Sequence, residues 1–167
     1  TPTLGVRPSD AEFRAVTIFP EPLRPVPGTS SDVETEALAL AFREASDGDR
    51  GVDALARFTE AYPQSRWAPG IHLNLGSISY HTGYFHDALA HWKAAWELAK
   101  TGEDGTSQQI ANQALAEYAR MNARLGRMEE LQELLEAAKE RVFMGDARVK
   151  IGGAAEGLWT MQHRPGV

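Results

Sequence analysis

Four histidines, His72, His81, His86 and His91, crowd into one short stretch and raise the question of a metal site. Such a site needs imidazoles that converge on one ion at about 2.0–2.1 Å. Here the spacing is wrong: His86 and His91 stand five apart rather than four, no His-Glu-x-x-His run occurs, and no cysteine assists. The histidines are therefore read as surface and groove residues, and neither metal nor cofactor is expected. Arg120 and Arg124, four apart on one predicted helix face, offer a different chemistry. They can meet an acidic partner through charge-assisted hydrogen bonds, or simply stay solvated as most surface arginines do.

Catalytic patterns are missing as well. No Gly-x-Ser-x-Gly elbow, no glycine-rich phosphate loop and no cysteine nucleophile occur, and no carboxylate pair is placed to share a cleft. A stack of short helical hairpins would also offer no deep pocket, so the chain is not expected to be an enzyme by itself. Its 17 basic and 23 acidic residues leave a net charge of -6 with no run of lysine or arginine, which disfavours nucleic acid as a partner. No apolar stretch approaches the roughly 18–20 residues that cross a bilayer, so a soluble chain without membrane insertion is expected. The absence of cysteine fits reducing and oxidising compartments alike. A start at Thr1 without a signal-like segment, and an end at Val167 directly after a helical pattern, suggest a piece of a longer protein that continues C-terminally.

The elements that would position these residues are helices. Residues 1–32 hold Pro2, Pro8, Pro20, Pro22, Pro25 and Pro27 and are expected to form an extended arm rather than a helix. Phe13, Val16, Ile18 and Phe19 within it should lie against the body, with a short strand near Ala15 to Phe19. From 33 to 167 the apolar spacing is helical. Ser31 or Asp32 caps a helix with Val33, Ala37, Ala41 and Ala45 on one face and Leu38 and Phe42 beside them, and Gly48 to Gly51 end it. A second helix carries Val52, Leu55 and Phe58 and stops at Pro63; Pro69 then opens a third. That third helix carries Ile71, Leu75 and Ile78, and after Gly83 the next runs from Phe85 through Trp92 and Trp96. Beyond a loop at Thr101 to Ser107, helices with Ile110 to Leu125 and Met128 to Val142 form a third hairpin. A last helix between Asp146 and Gln162 should cap the stack through Val149, Leu158, Trp159 and Met161, and its glycines Gly152, Gly153 and Gly157 would admit another backbone. The i, i+4 pair Trp92 and Trp96 reads as packing, whereas Trp67 is either an exposed interface anchor or a staple between Pro63 and Pro69.

The segment Asn74-Leu75-Gly76, with Tyr80, Gly83, Phe85, Ala88, Trp92 and Ala95, resembles the tetratricopeptide repeat (TPR), in which small residues sit where two helices cross. Ala54, Phe58 and Ala61 resemble a preceding repeat, and Gly126, Met128, Leu131, Leu135 and Ala138 a following one. The resemblance implies an all-α, right-handed TPR-like superhelix of about three hairpins plus a capping helix. It also implies a concave face, built from the first helix of each pair, that binds a protein or peptide. Carried onto this chain, that face consists of Glu36, Ala39 and Arg43, then Leu73, Ser77, Tyr80 and His81, then Gln113, Ala116, Arg120 and Arg124. The carboxylate clamp of chaperone-binding members is not reproduced, because only Asn74 matches it. Tyr62-Pro63-Gln64-Ser65 with Pro69 is similar to bacterial envelope TPR proteins, which implies an exported or periplasmic setting. Phe19-Pro20-Glu21-Pro22-Leu23 and Gly157-Leu158-Trp159-Thr160-Met161 resemble the N-terminal region of large bacterial proteins that continue into a papain-like cysteine-peptidase segment. On that alternative the chain is a regulatory or scaffolding module whose partner domain follows Val167.

Overall fold

A helix begins where a side chain can take up its first free amides, and Ser9 does this inside the proline-rich segment. Its Oγ accepts from the Glu12 amide at 3.3 Å while the Glu12 carboxylate accepts from the Ser9 amide at 2.6 Å, a reciprocal cap that closes α1 (Asp10–Ala15). The computed structural model describes residues 4–46 and 51–164, and among these no strand occurs. The expectation of a wholly extended arm is thus corrected by α1, and that of a strand near Ala15 to Phe19 by the end of α1 at Ala15 and an irregular backbone that pairs with no strand. Pro2, Gly48 and the end at Val167 lie outside the described residues.

The remaining elements are α2 (Asp32–Ser46), α3 (Gly51–Ala61), α4 (Ala68–His81), α5 (Phe85–Ala99), α6 (Gly105–Arg124), α7 (Met128–Ala138) and α8 (Gly145–Gln162). The Glu34 amide donates to Ser31 Oγ at 3.1 Å, so Ser31 acts as the cap of α2. Pro69 sits in the first turn of α4, where its missing amide hydrogen is not needed. Gly83 and Gly126 turn the chain at φ of +86° and +69°, a left-handed backbone that only glycine takes up without strain. α6 starts inside the expected loop because Asp104 Oδ2 accepts from the Ser107 amide at 2.9 Å. α7 ends at Ala138, short of Val142, which is exposed.

Helices pack in chain order: α2 with α3, α4 with α5, α6 with α7, while α5 leans on α6, and α8 covers both α6 and α7. Two apolar clusters result, one on each side of α4. Phe13, Leu23, Phe42, Phe58, Trp67, Ile71 and Leu75 form the first. Leu73, Trp92, Trp96, Leu115, Leu131 and Ala154 belong to the second. α4 can serve both because its residues are buried almost all round, which explains why its pattern is apolar on every side.

Several side chains depart from expectation. Val33 is exposed, whereas α2 buries Leu38, Ala41 and Phe42 as expected and Ala39 besides. Phe85 is half exposed. Trp67 is 2 % exposed, with its ring centroid 5.2 Å from that of Phe13 and the Arg66 guanidinium above it, so it anchors the proline-rich segment and not a partner. In α8, Val149 and Trp159 face solvent while Ala154 is buried and Ile151, Leu158 and Met161 pack partly on the core. A Cβ on Gly152 or Gly153 would meet nothing within 4 Å among the described residues, so no described backbone from another element uses the room they leave. Trp92 and Trp96 are buried as expected.

Candidate functional site

α4, α6 and α8 present one face each toward a shared trough. A residue recurs on one side of a helix every three to four positions, and α6 turns Gln109, Gln113, Ala116, Arg120 and Arg124 inward on that spacing. α4 contributes Gly70, Leu73, Asn74 and Ser77, and α8 contributes Ala147 and Lys150. Two adjoining cavities of about 410 Å³ and 370 Å³ result. They share Glu21, Leu73, Asn74, Gln113, Met144 and Ala147, so they form one trough rather than two sites. α8 folds back over α6 and gives the groove a second wall.

The residues anticipated for the concave face divide into three groups. Leu73, Ser77, Gln113 and Ala116 line the trough, with Leu73 and Ala116 as its buried floor. Tyr80, Arg120 and Arg124 form a cluster at one end: the Arg120 and Arg124 guanidinium carbons lie 5.3 Å and 5.9 Å from the Tyr80 ring centroid, and Arg124 donates to the Tyr80 hydroxyl. Arg120 also pairs with Glu117 at 2.6 Å, and Lys150 pairs with the other oxygen of that carboxylate. His81 packs edge-on against Tyr80, is exposed, and lines neither cavity.

The third group, on α2, is already covered by the chain itself. Arg7 donates to Glu36 at 2.7 Å, Arg43 donates to the Gly5 carbonyl at 2.5 Å, and Ala39 is buried in the first core. Further along, the segment from Glu21 to Val26 crosses α4. The Glu21 amide donates to Asn74 Oδ1 at 3.2 Å, Arg24 donates to Gln109 Oε1 at 3.1 Å, and the Val26 amide donates to the Arg66 carbonyl at 2.9 Å. Gly70 is what permits the crossing, because a Cβ there would stand 3.0 Å from the Arg24 carbonyl oxygen and 3.1 Å from Leu23 Cδ1. No protein-family model matches this chain, and no curated protein or solved structure matches it.

Sequence reasoning missed the segment from Glu21 to Val26, the rim residues Val142 and Met144, and Lys150 of α8. Only the i, i+4 spacing of Asp146 and Lys150 within a helical stretch could have pointed to α8 as a groove wall. The histidines behave as two separate sets. His72 and His91 face each other across α4 and α5 with Nδ1 atoms 2.9 Å apart, while His86 is exposed. Burial pushes the His72 imidazole down to about 4, reinforced by His91, and burial lowers His91 as well although Asp87 opposes it. Both are therefore neutral near pH 7 and share one hydrogen bond. Among the described residues no group of three or more histidine or acidic side chains is placed to hold a metal ion, and no helix is long and apolar enough to cross a membrane.

Proposed function

We propose that this chain is a protein-interaction module of TPR-like, right-handed superhelical build, whose inner face binds an extended peptide in the trough between α4, α6 and α8. The observation that carries this reading is the Asn74 side chain, which accepts a main-chain hydrogen bond from Glu21 of an extended segment lying across α4. An inner face that already holds main chain through a side-chain amide has the chemistry for a second extended segment. Gln113 supplies it further along: it is half-buried, lines both cavities, and its amide can donate and accept at once. Hairpins stacked in chain order, glycine turns after α4 and α6, and the Gly76 contact with Trp92 of α5 support the repeat reading.

The test is selection of binders from a random linear-peptide display library, followed by titration of individual peptides. Peptides that bind the unaltered chain should lose at least about tenfold in affinity, roughly 1.4 kcal/mol, against a Gln113→Trp variant whose indole fills the trough. Failure to enrich any peptide, or equal binding to the filled variant, would remove the groove as the binding site.

A further inference from the structure

Past the trough, the inner face of α6 continues to Arg120 and Arg124 and meets α8 across a third cleft of about 650 Å³. Lys150 joins the two arginines in its lining. Three cations thus stand against Asp146 in the same lining and Glu117 beside it, and Glu117 is already held by Arg120 at 2.6 Å and by Lys150. Arg124, the most exposed of the three, has a neutral partner, the Tyr80 hydroxyl, and among the described residues no carboxylate lies within ion-pair distance of it.

The wall contributed by α8 gives a second, independent indication. Gly153 lines the cleft, and glycine inside a helix weakens it relative to alanine. Packing does not account for that glycine, because a Cβ there would meet no neighbouring atom of the described residues within 4 Å. Gly153 and the three cations line the same cleft. At Gly157, by contrast, a Cβ would come into ordinary contact with Ala123 Cβ at 3.4 Å, so that position of α8 faces α6.

Building on the peptide-groove reading, we propose that the α6–α8 cleft receives the carboxylate side chain of an acidic peptide whose apolar residue sits in the trough between Leu73 and Met144. The charge of the cleft selects the carboxylate, since a guanidinium offers paired donors that match its two oxygens. Leu73 on the floor and exposed Met144 on the rim select the apolar residue. The helix rise of about 1.5 Å per residue puts Gln113 and Arg124 about 16 Å apart along α6, a span that an extended peptide covers in about five residues. The ligand class is therefore an extended segment with an apolar residue and an Asp or Glu about five positions apart.

Sequencing the peptides selected from the display library tests this directly, together with anisotropy titrations against the unaltered chain, Arg124→Gln and Arg124→Glu. Arg124 is exposed, so both variants should keep the helical circular dichroism of the parent. Expected are an enrichment of Asp or Glu at that spacing, an affinity loss of about tenfold for Arg124→Gln and more for Arg124→Glu, and weaker binding as salt rises. Peptides that lose affinity for Gln113→Trp but show no acidic bias, or that bind Arg124→Glu unchanged, would overturn the proposal and leave the groove reading standing. A dimer of this chain in sedimentation that Arg124→Glu dissolves would also overturn it, by making a second copy the occupant. An empty selection would end both readings.

Discussion

Gly76 of α4 lies directly under the indole of Trp92 of α5, so close that a Cβ on Gly76 would stand 2.5 Å from Trp92 Cδ1. The indole is 1 % exposed and its Nε1 finds no hydrogen-bond partner among the described residues, so packing alone holds it. Alanine at position 76 would gain about 1 kcal/mol in helix propensity but force the indole or both helices to move, which costs about 1–3 kcal/mol. Gly76→Ala is therefore expected to lower the urea midpoint, and an unchanged or raised midpoint would mean that α4 and α5 cross less tightly.

The glycines of α8 should behave in the opposite way. Gly153→Ala places a methyl group in open space and removes the entropic cost of glycine, so thermal unfolding of the free chain should rise by about 0.5–1 kcal/mol. Gly157→Ala, whose new Cβ would stand in ordinary contact with Ala123 Cβ at 3.4 Å, should gain at least as much. Comparing the two melting curves distinguishes a helix face open to solvent from one in contact.

Phe13 is the third site. Its ring centroid lies 5.4 Å from that of Phe42 and 5.2 Å from that of Trp67, and it is 1 % exposed. Phe13→Ala should cost about 3–5 kcal/mol in chemical denaturation, the range for emptying a buried aromatic site. A cost below about 1 kcal/mol would show that the proline-rich segment is not docked on α2 and α4 in solution.

Acid should act through His72 and His91. Because burial depresses the folded pKa of His72 to about 4 from an ordinary 6.5, the unfolded chain binds the extra proton first. Stability is then full above about pH 7 and declines as pH falls from about 6.5 toward 4, by about 2–3 kcal/mol for His72. In His72→Gln the urea midpoint should fall much less over that window. Equal slopes for both proteins would mean that His72 is solvated.

The helical class and most element boundaries were legible in the residues themselves. Apolar spacing, Ser31, Pro69, Gly83 and Gly126 act through near neighbours in the chain, and a local code can be read locally. α1 was hidden by the prolines around it, although Ser9 and Glu12 spelled out its cap three residues apart. Leu73, Ser77, Gln113, Arg120 and Arg124 were singled out through the repeat resemblance rather than through periodicity, and on α4 and α6 they line the trough or the cleft beside it.

What the sequence alone determined is thus the helices and most of the side chains each turns inward, with Val33, Val149 and Trp159 as exceptions that face solvent. Only the tertiary structure decided what stands opposite those faces: Glu21 on Asn74, Arg7 and Gly5 on α2, Lys150 on Glu117, Trp67 under Phe13. The physical reason is distance along the chain. Asn74 is 53 residues from Glu21 and Lys150 is 33 from Glu117, and no periodicity or propensity links positions that far apart. Their meeting depends on how each helix leans on the next, which the packing of buried side chains settles.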